Sequence, residues 1–130
     1  MRFIPTKFHA PLDYIVGVAL IAAPWIFGFS EHTAATVVPV VLGIGLIAYS
    51  LITNYELGVW KVAPMAVHNL IDIVAGALLA ASPWLFGFAD ESASVWVPHL
   101  VVGLAAVFLG VTTKQGGYSY RTAGTTPATR

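Results

Sequence analysis

Two histidine–aspartate pairs are the residues of this chain best placed to do chemistry. His9 precedes Asp13 by four residues, His68 precedes Asp72 by four, and each acid is followed four residues later by a glycine, Gly17 or Gly76. On a helix the spacing i, i+4, i+8 puts all three positions on one face. Imidazole and carboxylate presented together can hold a divalent cation, relay a proton or, through two histidines, ligate a haem. They also have a structural meaning. An acid in the first turn of a helix gains from the macrodipole, and a histidine one turn earlier can hold it there. The metal such a cluster would take is undefined by the sequence. H-E-x-x-H, G-x-S-x-G, a Walker loop and a Rossmann glycine fingerprint are all absent, and the chain has no cysteine. Neither catalytic residues nor a resident cofactor is expected, and the chain reads as a non-enzyme.

The elements that carry these pairs read as membrane spans. Of 130 residues, 58% are hydrophobic and 9% charged, whereas a soluble domain has about 25% charged residues. Apolar segments run over 12–29, 34–52, 69–88 and 95–111. At about 1.5 Å rise per residue, each is roughly 25 to 30 Å long, the thickness of a hydrocarbon core. None carries the polar stripe of a soluble helix. The expected fold is therefore an all-α membrane protein of four transmembrane helices. The partner it implies is a lipid bilayer, and a net charge of zero argues against nucleic acid. All the basic residues, Arg2, Lys7, Lys61, Lys114, Arg121 and Arg130, fall on one side of a four-span topology, which predicts that both termini are cytoplasmic.

Shifted by 59 residues, 5–58 aligns with 64–117 without a gap. The duplication predicts a first two-span repeat over 1–58, a second over 59–111 and a flexible cytoplasmic tail over 112–130. Two-span units keep the same orientation, so the repeats are parallel about a pseudo-two-fold axis along the membrane normal. Gly17 and Gly76 are then expected to let spans one and three approach closely. Gly103 and Gly110, with Ala106, form a small-residue stripe for packing in the bundle or against a second copy. His32 and His99 have no like residue at the aligned position and are expected at the interface.

The most distinctive repeated string is Ala23, Pro24, Trp25, then Phe27, Gly28, Phe29, matched by Ser82, Pro83, Trp84, then Phe86, Gly87, Phe88. Proline loosens the last turn and glycine lets the chain leave the helix. The aromatic residues are expected to form a belt at the outer interface. Through this string the chain resembles the SPW-repeat family of small prokaryotic membrane proteins, although Ala23 stands where the family has serine. The resemblance covers both hairpins and implies a multi-pass protein of the inner membrane with no established reaction. Function is expected to be structural, accessory or oligomer-forming, through a homo-oligomer or a membrane protein partner. The alternatives are a ligand, metal or proton site at His9, Asp13, His68 and Asp72, or an oligomeric channel.

Overall fold

The computed structural model describes residues 2–116, which form four helices: α1 (Thr6–Ile26), α2 (Thr33–Ile52), α3 (Met65–Leu85) and α4 (Ala93–Thr112). Each is long and apolar enough to cross a membrane, so the all-α, four-span fold is the one observed. The helices carrying the histidines begin earlier than their apolar stretches. Pro5 (ψ 146°) and Pro64 (ψ 143°) hold extended backbone just before them, and helix follows at once. Asp13 and Asp72 therefore lie two turns inside, and the first turns of α1 and α3 contain no acid. A macrodipole role for these carboxylates is ruled out by that placement, because the effect fades within one turn.

The repeated aromatic string closes α1 and α3 with a left-handed cap. Gly28 (φ 74°) and Gly87 (φ 75°) adopt the left-handed conformation, and the amides of Phe29 and Phe88 donate to the carbonyls of Pro24 and Pro83 at 2.8 Å. That turn sends the last phenylalanine inward. Phe29 and Phe88 are buried with Ala23, Ala35 and Val95, contrary to their expected place in the belt. Trp25, Phe27, Trp84 and Phe86 are exposed, as residues of an interfacial belt must be.

Helices pack chiefly within each hairpin. A methyl group on Gly43 would stand 2.7 Å from the Gly17 carbonyl oxygen, and one on Gly103 would stand 2.6 Å from that of Gly76. Gly17 and Gly76 thus serve α1–α2 and α3–α4 contacts, and the expected close approach of α1 to α3 is not found. Gly103 and Gly110 face α3 of their own hairpin, which takes the small-residue stripe away from any second copy. The pairing of the halves also shifts. α1 and α3 follow the 59-residue offset, but the outer connection is one residue longer in the second unit, so α4 follows α2 by 60. Buried Ala35, Pro39, Gly43 and Ser50 correspond to Val95, His99, Gly103 and Gly110. The gap-free alignment had matched Pro39 to Pro98, a shared residue type on a different face.

The segment entering each odd helix caps the even helix of the other unit. Amides of Phe3 and Ile4 donate to the Thr112 carbonyl, and amides of Val62 and Ala63 donate to that of Ile52. Thr112 to Lys114, assigned from sequence to the tail, are therefore part of the fold: Lys114 N–H donates to Ile4, and Arg2 donates to the carbonyls of Gly110 and Thr113. The rest of the expected tail from residue 117 lies outside the described residues. One contrast tests this packing. Gly103→Ala should push α4 off Ala80 and destabilise the protein by about 1 to 3 kcal/mol. Gly45→Ala, with nothing within 4 Å, should be neutral or slightly stabilising, and thermal unfolding in mild detergent reads both.

Candidate functional site

Although α1 and α3 do not pack backbone to backbone, their polar side chains converge. His9 Nε2 lies 3.0 Å from Asp13 Oδ1 and 3.0 Å from Asp72 Oδ2, while His68 Nε2 lies 3.0 Å from Asp13 Oδ2 and 3.4 Å from Asp72 Oδ2. Each acid faces the histidine of its own helix and that of the opposite hairpin. Both histidine side chains are fully buried and the carboxylates nearly so, with the imidazole centroids 5.4 Å apart and the rings edge to face. The pseudo-two-fold axis thus assembles all four candidate polar residues into one quartet.

A second ring of groups holds the quartet in place. His68 Nδ1 is 2.7 Å from Thr53 Oγ1 and His9 Nδ1 is 2.6 Å from Thr113 Oγ1. Thr53 spends its hydroxyl proton on the Tyr49 carbonyl, so it can only accept from His68, which fixes a proton on Nδ1. Tyr55 donates to Asp13 Oδ2 at 2.8 Å. Burial, then the field of the Asp13 carboxylate, holds its hydroxyl above the ordinary phenol value. Asn69 donates to the Thr113 carbonyl at 3.2 Å and ties the α4 end to α3. The two threonines are true repeat equivalents at the 60-residue offset, whereas the gap-free alignment had paired Thr53 with Thr112. Tyr55 and Asn69 have no like partner in the other unit, and nothing in the sequence marked them.

The other singled-out residues are architectural. Ser82 Oγ donates to the Leu79 carbonyl at 2.6 Å within its own helix, which explains why Ala23 serves at the equivalent place. His99 is buried, not interfacial. Its two ring nitrogens lie 2.7 and 2.9 Å from the carbonyl oxygens of Val95 and Ala35, and its ring sits beside Phe29 and Phe88. His32 approaches Glu91 at 3.8 Å on the exposed outer surface, a pair worth little there. Between these two ends the hairpins leave apolar cavities of about 320 and 380 Å³. Asp72 and Tyr49 reach the first, and Phe27 and His99 the second.

A family model described as the SPW repeat domain matches residues 7–113. No curated protein and no solved structure matches the chain.

Two substitutions test the site's construction. Asp13→Asn removes a charge that both imidazoles face and should cost about 3 to 5 kcal/mol, the usual penalty for breaking a buried ionic cluster from one side. Tyr55→Phe strips a donor from the buried carboxylate and should cost about 1 to 3 kcal/mol. The second variant also carries a pH signature. A phenol whose proton is held more tightly when folded stabilises below its unfolded value of about 10 and loses that contribution as pH rises further. Tyr55→Phe should therefore lose less stability than wild type above about pH 10 in a detergent melt.

Proposed function

The chain belongs to the SPW repeat domain family, and from that premise we propose that it is a structural module of the membrane, non-enzymatic, in which the quartet latches one hairpin to the other. Its termini face the cytoplasm across the inner membrane, as the one-sided basic residues argue. The observation that carries this proposal is the sealed position of the four polar residues. His9 and His68 are buried in the first turns of α1 and α3 and Asp13 and Asp72 one turn deeper, close against one another and hydrogen-bonded to Thr53, Thr113 and Tyr55, and the cavity that touches Asp72 is lined almost wholly by apolar side chains. A polar substrate has no lined path to them. Latching is also what this fold needs. Apolar packing between helices gains little over packing against lipid, so hairpins that touch sparsely depend on polar links.

A structural module of this kind acts through its outward faces, on a second copy or a neighbouring membrane protein. The test replaces the whole latch instead of half of it. Exchanging His9, Asp13, His68 and Asp72 together for apolar residues of similar volume removes every buried charge at once and leaves none unpaired. The quadruple variant should melt below wild type, because apolar side chains join the hairpins weakly in lipid, yet above Asp13→Asn, and in native membranes the folded variant should cross-link to the same neighbours as wild type. A folded quadruple variant that lost those neighbours would overturn the proposal, and so would a wild-type protein that stayed monomeric and unattached in mild detergent.

A further inference from the structure

We propose that the latch is a zinc site of the closed, four-ligand kind, formed by His9 Nε2, His68 Nε2 and one oxygen each from Asp13 and Asp72. The inference deepens the latch just described and rests on it. Its first support is convergence. One ligand atom from each residue falls within 4.8 Å of all the others. With Asp13 Oδ1 and Asp72 Oδ2 as the oxygens, the three nitrogen–oxygen separations of 3.0, 3.0 and 3.4 Å bracket the edge of a tetrahedron, about 3.3 Å for bonds near 2.0 Å.

The second support is independent of proximity. His9 Nε2, His68 Nε2 and Asp72 Oδ2 are completely buried, yet none has a properly directed hydrogen bond despite lying near the others. They face a common point and not one another's proton axes. Buried polar atoms without partners are rare in a finished structure, and three around one centre point to a ligand that all of them share.

The third support is the outer ring. Thr53 obliges His68 to keep its proton on Nδ1, which leaves the Nε2 lone pair facing the centre in the neutral imidazole. Tyr55 anchors the second oxygen of Asp13. Metal-bound histidines are held in this manner, the far ring N–H given to a fixed acceptor and the ligating carboxylate hydrogen-bonded in turn. Two neutral imidazoles, two carboxylates and a divalent ion sum to zero charge, the state a bilayer interior favours. Imidazole donors turn the site away from magnesium and calcium, which take oxygen. Four protein ligands leave no position open for a substrate, so the metal would have a structural role.

The experiment uses the full chain in mild detergent, with elemental analysis as purified and cobalt(II) as the spectroscopic probe after chelation. One zinc per chain, replaced by cobalt with the strong visible bands of four-coordination, is the expected result. Thr53→Val keeps every ligand and should weaken zinc binding about 10- to 100-fold, and His68→Gln should abolish the cobalt bands. Wild type that holds no zinc and gives only the faint bands of six-coordinate cobalt would overturn the proposal, as would undiminished zinc affinity in Thr53→Val. These last two readouts do not depend on His68→Gln folding. The latch and the metal fail separately. A metal-free wild type in which Asp13→Asn is still strongly destabilised keeps the latch as ion pairs and discards the zinc. Bound zinc whose removal leaves the melting temperature unchanged keeps the metal site and discards the latch.

Discussion

Two carboxylates buried inside a bundle of apolar helices cannot stand without compensating partners, and most of the structure is arranged around supplying them. Leaving a charge alone at that depth would cost far more than any helix contact returns. Asp13 and Asp72 each meet that requirement with one imidazole from their own helix and one from across the axis. Neither hairpin can therefore complete its polar groups alone. The requirement propagates outward. The helices extend back to Thr6 and Met65 so that His9 and His68 fall one turn before the acids, and the ends of α2 and α4 present Thr53 and Thr113 to the far ring nitrogens.

Against that anchor, the division of labour among the small residues makes sense. Glycine is used inside each hairpin, where Gly17 meets Gly43 and Gly76 meets Gly103, making two tightly paired units. Between the units the middle of the bundle is loosely filled, and the joins lie at the two ends: the quartet at the basic end, and Phe29, Phe88 and Val95 with His99 at the other. A bilayer explains why ends matter more than the middle. Leucine against leucine is hardly better than leucine against an acyl chain, whereas a buried polar group has no substitute partner in lipid.

Much of this was legible in the sequence, because apolar length, basic asymmetry and the 59-residue echo each arise from a single strong constraint. The quartet was legible in part: the period of α-helical faces puts each histidine and its acid on one face and a pseudo-two-fold axis allows the two faces to meet, but convergence stayed open, and the close α1–α3 approach expected to bring it about is not found. Three things were not. Helix starts were misplaced because prolines at positions 5 and 64 begin helices upstream of the apolar stretch, in a region hydropathy treats as interface. Phe29 and Phe88 were assigned to the belt because composition cannot tell an aromatic residue before a left-handed glycine from one after it. The register of α4 was off by one because Pro39 and Pro98 share a residue type, whereas burial pairs Pro39 with His99. That single-residue slip hid Thr113 behind Thr112, and with it the partner of His9 Nδ1.

The crossed capping has a consequence for how such a chain can be cut. Residues 3 and 4 sit on the end of α4 as residues 62 and 63 sit on the end of α2, atom for atom in their hydrogen bonds. The molecule is thus a ring of two equivalent units in which covalent continuity is present at one seam and replaced by hydrogen bonds at the other. Such a ring has no privileged starting point. Opening the seam beyond Tyr55, within 56–61, and sealing the other would leave in place the helix pairings, the quartet and the Tyr55 hydrogen bond to Asp13. The duplicated chain is, in this sense, a homodimer whose two halves have been tied together once.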